Sequence, residues 1–157
     1  SSVDFGCGQI SSAGSDIYLI RLNASGACMW SQRFGGSNVE HSSAVAYDPS
    51  GKVVLTGHIA GAGISDLGGG SIVSTSGGSD AFIAKYSAAD GTYVWAKRYG
   101  DIGSDQGFAV VVDTASNIIA SGTFAGMVDF GGGVVSSYLN TAINAYSNEA
   151  YILKLGP

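Results

Sequence analysis

The sequence contains little proline and little charge, and it has no long apolar segment. Only 2 of its 157 residues are proline and 12% are charged, a low share that argues against long solvent-exposed helices. Since no apolar run approaches the roughly 18 residues of a membrane-spanning helix, we expect no membrane insertion. Glycine is abundant instead, at 25 residues, alongside 45% apolar residues. This combination indicates a folded chain with many tight turns rather than a disordered one.

Basic residues are scarce as well. The seven lysines and arginines are scattered singly, and the formal net charge is -5. Nucleic acids and anionic membranes attract clustered positive charge. The sequence therefore predicts neither of them as a partner.

Cysteine and histidine each occur only twice. Cys7 and Cys28 lie in glycine-rich turns on either side of a predicted strand. A disulfide and two reduced thiols both remain open, because the sequence does not give the Cα separation that a disulfide requires. His41 and His58 have no cysteine beside them and no metal-ligand spacing, so we predict no zinc-type site.

The chain repeats itself with a period of roughly 65 residues. Residues 44–61 align without a gap with residues 109–126. Residues Asp16 to Leu22 follow the order acid, apolar, aromatic, apolar, apolar, base, apolar. The same order recurs at 80–86 and again at 149–155. Two other motifs keep the same order along the chain, Trp-x-x-Arg-aromatic-Gly at 30–35 and 95–100, and Asp-apolar-Gly-x-Gly at 4–8, 66–70 and 129–133.

Each repeat divides into four short strand-like segments separated by turn residues. In the central copy we expect the first to fourth strands at 44–48, 52–58, 81–86 and 93–99. Asp48-Pro-Ser-Gly51 has the residue order of a type I turn. The glycine-rich segment 60–79 is expected to form an extra outward loop or hairpin. The pattern predicts an all-β protein built from four-stranded antiparallel sheets.

These motifs resemble the bacterial SBBP-type β-propeller repeats. The resemblance rests on segments 78–86, 95–100 and 112–124, and its motifs cover nearly the whole chain. It implies a propeller of four-stranded blades in a secreted or cell-surface protein, and it brings no catalytic residues. The chain departs from the pattern at the turn 114–116 and by an insertion within 138–147.

The strand count gives about two and a quarter blades, whereas a closed propeller has about four to eight. Residues 1–36 are assigned to a partial blade with the third and fourth strands. Residues 44–100 form the complete blade, and residues 109–157 a partial blade with the first three strands. Because the terminal blades would expose apolar faces, we expect a segment of a larger propeller or assembly with further copies of the chain.

Charged residues at the two ends of the third strand are expected to form a structural ladder of ion pairs, in which the acid of one blade pairs with the base of its neighbour. The acids are Asp16, Asp80 and Glu149, and the bases are Arg21, Lys85 and Lys154.

Other residues are candidates for binding. Trp30 and Trp95 are interpreted as packing between sheets, with a sugar-stacking platform as the alternative. Asp4, Asp66 and Asp129 precede glycine-rich turns and are expected to accept backbone N–H groups there, with calcium ligation as the alternative. We also expect a loop that contains Asp101 and Asp105 to contribute to a binding surface.

The function that follows is a non-catalytic extracellular interaction or scaffold module with a protein or glycan partner and no cofactor. The alternative is a structural protein that assembles with itself into a ring or filament through its open blade faces and strand edges. A third hypothesis is a carbohydrate-active enzyme that uses two paired carboxylates. Phosphate and dinucleotide sites are excluded by context, because no helix follows the Gly-x-Gly segments.

Overall fold

The computed structural model describes residues 2–12, 14–61, 63–74 and 78–157. The all-β prediction is confirmed, because strands make up 62% of the chain and the described part contains no helix. Accordingly, none of the described residues belongs to a helix able to cross a membrane.

The strands are short and follow one another closely. In chain order they are β1 (Ser2–Asp4), β2 (Gln9–Ser11), β3 (Ile17–Leu22), β4 (Cys28–Phe34), β5 (Val39–Asp48), β6 (Lys52–Ala60), β7 (Gly63–Asp66), β8 (Ser71–Ser74), β9 (Ser79–Ser87), β10 (Tyr93–Tyr99), β11 (Gln106–Val112), β12 (Ile118–Phe124), β13 (Met127–Asp129), β14 (Val134–Ser136), β15 (Leu139–Asn140), β16 (Ala145–Tyr146) and β17 (Glu149–Leu155).

The central sheet contains four antiparallel strands in the order β10-β9-β6-β5. Its first hairpin closes through the predicted turn, where the N–H of Gly51 donates to the carbonyl of Asp48 and Gly51 has a φ of 83°. Strand β5 begins at Val39, five positions before the predicted start. The register of β5 against β6 shifts between Ser42 and Ala44. This bulge interrupts the alternation of apolar residues and hides the beginning of the strand from the sequence pattern.

The sheets on either side contain fewer strands. The first sheet is the pair β3-β4, and the third sheet has the order β11-β12-β17.

Separate two-stranded hairpins connect or precede the larger sheets. They are β1-β2, β7-β8, β13-β14 and β15-β16. Hairpin β7-β8 lies within the glycine-rich segment 60–79, for which a loop or hairpin was expected. Residues 62 and 75–77 of that segment lie outside the described residues.

Two apolar clusters connect consecutive sheets. The first cluster joins the first and central sheets and includes Leu19, Phe34, Leu55, Phe82 and Tyr86. The second cluster joins the central and third sheets. Its members include Val54, Ile83, Val110, Ile118 and Tyr151. Since opposite faces of the central sheet belong to different clusters, its strands are apolar on both sides, as expected for a sheet packed between two others.

Candidate functional site

The base near the end of the third strand in a repeat pairs with the aspartate that closes the first strand of the same sheet. Lys85 Nζ lies 2.8 Å from Asp48 Oδ2, and both side chains are buried. Lys154 Nζ lies 3.9 Å from Asp113 Oδ2 at an exposed position. The expected pairing between neighbouring blades is therefore wrong for these bases, because acid and base meet at the same end of one sheet.

The acid at the beginning of the third strand pairs within its own sheet too. Asp16 Oδ2 accepts from Arg33 at 3.0 Å, and Asp80 Oδ1 lies 2.9 Å from Arg98. The third copy has no fourth strand among the described residues, and Glu149 accepts a hydrogen bond from Ser147 instead. The predicted ladder thus consists of pairs inside sheets.

Asp48 connects the central sheet to the third. Its Oδ1 accepts hydrogen bonds from Ser116 Oγ at 2.7 Å and from the N–H of Ser50 at 2.8 Å. Burial alone would raise the pKa of Asp48, but the hydrogen bonds from Lys85, Ser116 and Ser50 outweigh it and hold that pKa well below its usual range. The carboxylate is therefore charged, with Oδ1 hydrogen-bonded and Oδ2 in an ion pair with Lys85.

Equivalent carboxylates lie at the two junctions between sheets. Glu40 is 3% exposed and accepts from Ser65 Oγ and from the N–H of Gly36. Asp105 is 1% exposed and accepts from the N–H groups of Asp101 and Ala125. This burial corrects the expectation that Asp105 lies on a binding surface. The sequence did not reveal it, although the alignment of the repeats places Asp105 opposite Glu40.

Burial raises the pKa of Asp105 to about 6, and the nearby charges of Asp80 and Asp101 act in the same direction against the two backbone donors. Gly100 lies between the carboxylates of Asp80 and Asp105. A Cβ atom there would collide with the side chains of both Asp80 and Asp105. Only glycine therefore fits between the two acids.

We expect Asp105→Asn to change how stability depends on pH. In the wild type the folded state holds a proton that the unfolded state releases above about pH 4, so Asp105 lowers the unfolding free energy as pH rises from about 4 to 6. The unfolding free energy of the variant should not fall in this way. Between about pH 4 and pH 6 it should therefore rise by about 2 kcal/mol relative to that of the wild type. Urea titrations at several pH values measure it, with the exposed turn variant Asp129→Asn as control. A difference between wild type and Asp105→Asn that does not vary with pH would contradict the assignment.

The aspartates before the glycine-rich turns all have the same geometry. Oδ1 of Asp4, Asp66 and Asp129 accepts the N–H groups two and four residues later, at 2.7 and 3.1 Å in each copy. Within the described residues, no group of three or more histidine, cysteine or acidic side chains is arranged to hold a metal ion. The turn contacts therefore account for one oxygen of each of these aspartates, as the turn interpretation expects.

The tryptophans are partly buried. Trp30 packs against the first apolar cluster, and its Nε1 donates to the carbonyl of Ala88 at 3.1 Å, across the junction with the central sheet. Trp95 packs against the second cluster, with Lys97 Nζ 5.9 Å from the ring centroid. These contacts favour the packing role over the sugar-stacking platform.

Cys7 and Cys28 form a disulfide with a Cα separation of 5.5 Å. The bond attaches the β1-β2 hairpin to the beginning of β4. Of the two states left open by the sequence, the structure contains the bridged one.

The two histidines face each other on neighbouring strands of the central sheet. The rings of His41 and His58 are stacked at 5.1 Å between centroids. Partial burial lowers the pKa of His58, and the charge of His41 lowers it further.

One edge of β3 is open among the described residues, because β4 is its only partner in a sheet. A groove lies between this edge and β5. We call it the β3 groove, and we define it by Leu19, Arg21, Leu22, Val45 and Tyr47. Val45 is 59% exposed and Tyr47 is 63% exposed. By contrast Val110, the repeat equivalent of Val45, is 6% exposed because the central sheet covers it.

The outer face of the third sheet is open too. Ile152 is 82% exposed, whereas Ile83 at the equivalent position of the central sheet is 0% exposed. Phe108 and Val111 on β11 are also exposed. The β3 groove and the outer face of the third sheet therefore expose apolar side chains. The equivalent side chains are buried where the central and third sheets meet.

The loops at 100–105 and 137–148 carry further exposed side chains. Ile102, Tyr138 and Ile143 are 58%, 70% and 71% exposed. Asp101 is partly buried beside Asp105. Both segments lie outside the three larger sheets and expose apolar side chains.

Comparison of the chain with protein-family models gives no match, and comparison with curated proteins gives none either.

Proposed function

We propose that the chain is a segment of a secreted β-propeller that acts as a non-catalytic scaffold, with loops that bind a protein or glycan partner. The observation that carries this proposal is the recurrence of one junction between consecutive sheets. The N–H of Glu40 donates to the carbonyl of Ser15 at 2.8 Å, and the N–H of Asp105 donates to the carbonyl of Ser79 at 2.6 Å. Propellers and solenoids are built by repeating one junction between successive units, so this recurrence supports the proposal.

The carboxylates support a structural role rather than hydrolysis of glycosides. Glycosidases place two carboxyl groups about 5 to 10 Å apart around a space that admits the sugar. In this chain the acids that approach each other, such as Asp80 and Asp105, are buried at a junction and engaged by Arg98 or by backbone donors. The exposed acids Asp4, Asp66 and Asp129 are engaged in turns.

An extended chain tests the proposal. Pro157 is the repeat equivalent of Ala88, so a second copy of residues 89–157 fused after Pro157 continues the repeat without a break. This copy supplies a fourth strand for the third sheet and a further sheet to cover Ile152. We expect one cooperative transition in guanidinium and a gain of at least about 2 kcal/mol, the value of burying one isoleucine.

The matched control carries Val110→Asp in the added copy only, which places a charge on the face that should dock. It should lose most of the gain. If the original segment of the extended chain unfolds at the same denaturant concentration as the unextended protein, the proposed array of sheets is wrong.

Self-assembly is the second candidate function, and the exposure of Ile152 favours it. If the open faces of two copies dock, light scattering should show a mass that rises with concentration, and Ile152→Glu should return the mass to that of one chain. A wild-type mass of one chain at every concentration contradicts self-assembly.

A further inference from the structure

We propose that the β3 groove is an acceptor site for a β-hairpin of the chain's own repeat type, whose first strand ends in an aspartate that pairs with Arg21. The inference rests on the proposed function and specifies the partner chemistry at one end of the segment. It concerns a groove that no further strand of the described residues covers.

One edge of β3 has no partner strand among the described residues. The equivalent strand β9 is paired on both sides, by β10 and by β6. Every residue of β6 from Lys52 to Ala60 pairs with a residue of β9. β3 has β4 in the place of β10, but among the described residues nothing takes the place of β6. The backbone of β3 therefore offers a row of unpaired N–H and C=O groups to an incoming antiparallel strand.

The β3 groove is the counterpart of the covered interface between the central and third sheets. There, Ala44, Ala46 and Val54 of the β5-β6 hairpin pack in the cluster that buries Val110. Val45 is the equivalent of Val110 on the central sheet and is 59% exposed. A hairpin in the β3 groove would cover Val45 and Tyr47 in the same way. Small and aliphatic residues on its inner face fit this position.

Arg21 gives the β3 groove a positive charge that an incoming aspartate would complement. In the other two copies, the base at this position of the third strand pairs with the aspartate at the end of the first strand, as Lys85 does with Asp48 and Lys154 with Asp113. Arg21 occupies the same position in β3 and has no ion pair with any described residue. Its Nη1 donates to the carbonyl of Ala88 at 2.5 Å, which holds the guanidinium at the groove. The missing carboxylate belongs to the incoming hairpin.

The chain contains a suitable probe. Residues 104–124 contain the β11-β12 hairpin, and Asp113 lies at its turn, where its N–H donates to the carbonyl of Asn117. A fluorescein-labelled peptide of this sequence is titrated with the whole protein, and its anisotropy reports binding. We expect saturable binding that Arg21→Glu weakens at least tenfold, equivalent to about 1.4 kcal/mol.

A charge exchange tests the assigned contact. The peptide with Asp113→Lys should bind the wild-type protein at least tenfold more weakly and should regain affinity on Arg21→Glu. Lys154→Glu is the matched control. It reverses the charge at the equivalent position of the third sheet, which lies outside the β3 groove, and it should leave peptide binding unchanged. Arg21→Gln, with thermal melting of each variant, separates loss of charge from loss of folding.

Each outcome has a distinct meaning. Absence of saturable binding to the folded wild type overturns the acceptor site, and binding without rescue by the charge exchange overturns the pairing with Arg21. If the wild-type protein also associates with itself and Arg21→Glu prevents this, a second copy supplies the hairpin. Failure of the extended chain to gain stability would refute the larger array while leaving peptide binding intact, so the two proposals fail separately.

Discussion

Lys85→Met is expected to lower the unfolding free energy by about 3 to 5 kcal/mol, because it leaves a buried carboxylate without its cation. Asp48 has a fully buried side chain, and Lys85 lies 2.8 Å away with 7% of its side chain exposed. Methionine keeps the apolar stem of lysine, so the effect reports the charge rather than lost packing. Urea unfolding monitored by tryptophan fluorescence measures it.

Lys154→Met is the matched control, since Lys154 occupies the same repeat position. Its partner lies 3.9 Å away and the lysine side chain is 63% exposed, so the expected loss is below about 1 kcal/mol. The double variant Asp48→Asn with Lys85→Met should recover part of the loss by removing the isolated charge. Equal losses of unfolding free energy for Lys85→Met and Lys154→Met would contradict this prediction. They would mean that burial does not determine how much the ion pair between Lys85 and Asp48 stabilises the fold.

Ile83→Ala is expected to cost about 2 to 5 kcal/mol, the range for deleting a buried isoleucine side chain and leaving a cavity. Ile83 is 0% exposed and belongs to the cluster between the central and third sheets. Urea unfolding of the variant and the wild type, monitored by tryptophan fluorescence, measures the loss.

Ile152→Ala makes the same chemical change at the equivalent position of the third sheet. Because Ile152 is 82% exposed, its loss should be below about 1 kcal/mol. A cost similar to that of Ile83→Ala would contradict the open face described for the third sheet.

Much of the strand pattern was predictable from the sequence. Turn chemistry at Asp48-Pro-Ser-Gly51 and the alternation that follows it located the first central hairpin, and the predicted strand 93–99 has the observed bounds of β10. The start of β5 was not predictable, because the bulge at Ser43 breaks the alternation on which the prediction depends.

The side-chain partners were less predictable than the strands. The sequence identified the repeated acids and bases but placed their pairs between neighbouring blades. Lys85 and Asp48 lie on strands separated by β6, and only the order of strands in the sheet brings them to the same end. The burial of Asp105 was missed for a similar reason, since a loop aspartate has no local signal that a neighbouring sheet will cover it.

Two open surfaces support the proposed propeller segment and the proposed acceptor site. Among the described residues, the β3 groove has no equivalent of β5-β6 and the third sheet has no strand equivalent to β10. Each surface is the counterpart of one that is covered at an internal junction. If the proposed propeller exists, further sheets of the same kind continue the array about one axis until it closes.

Electron microscopy of tandem copies of residues 89–157 tests this requirement most directly. If every junction applies the same rotation about a common axis, a series with increasing copy number should give closed rings at one number between about four and eight, with a central channel. Rods or open superhelices that lengthen with every added copy would contradict the propeller and would indicate a solenoid instead.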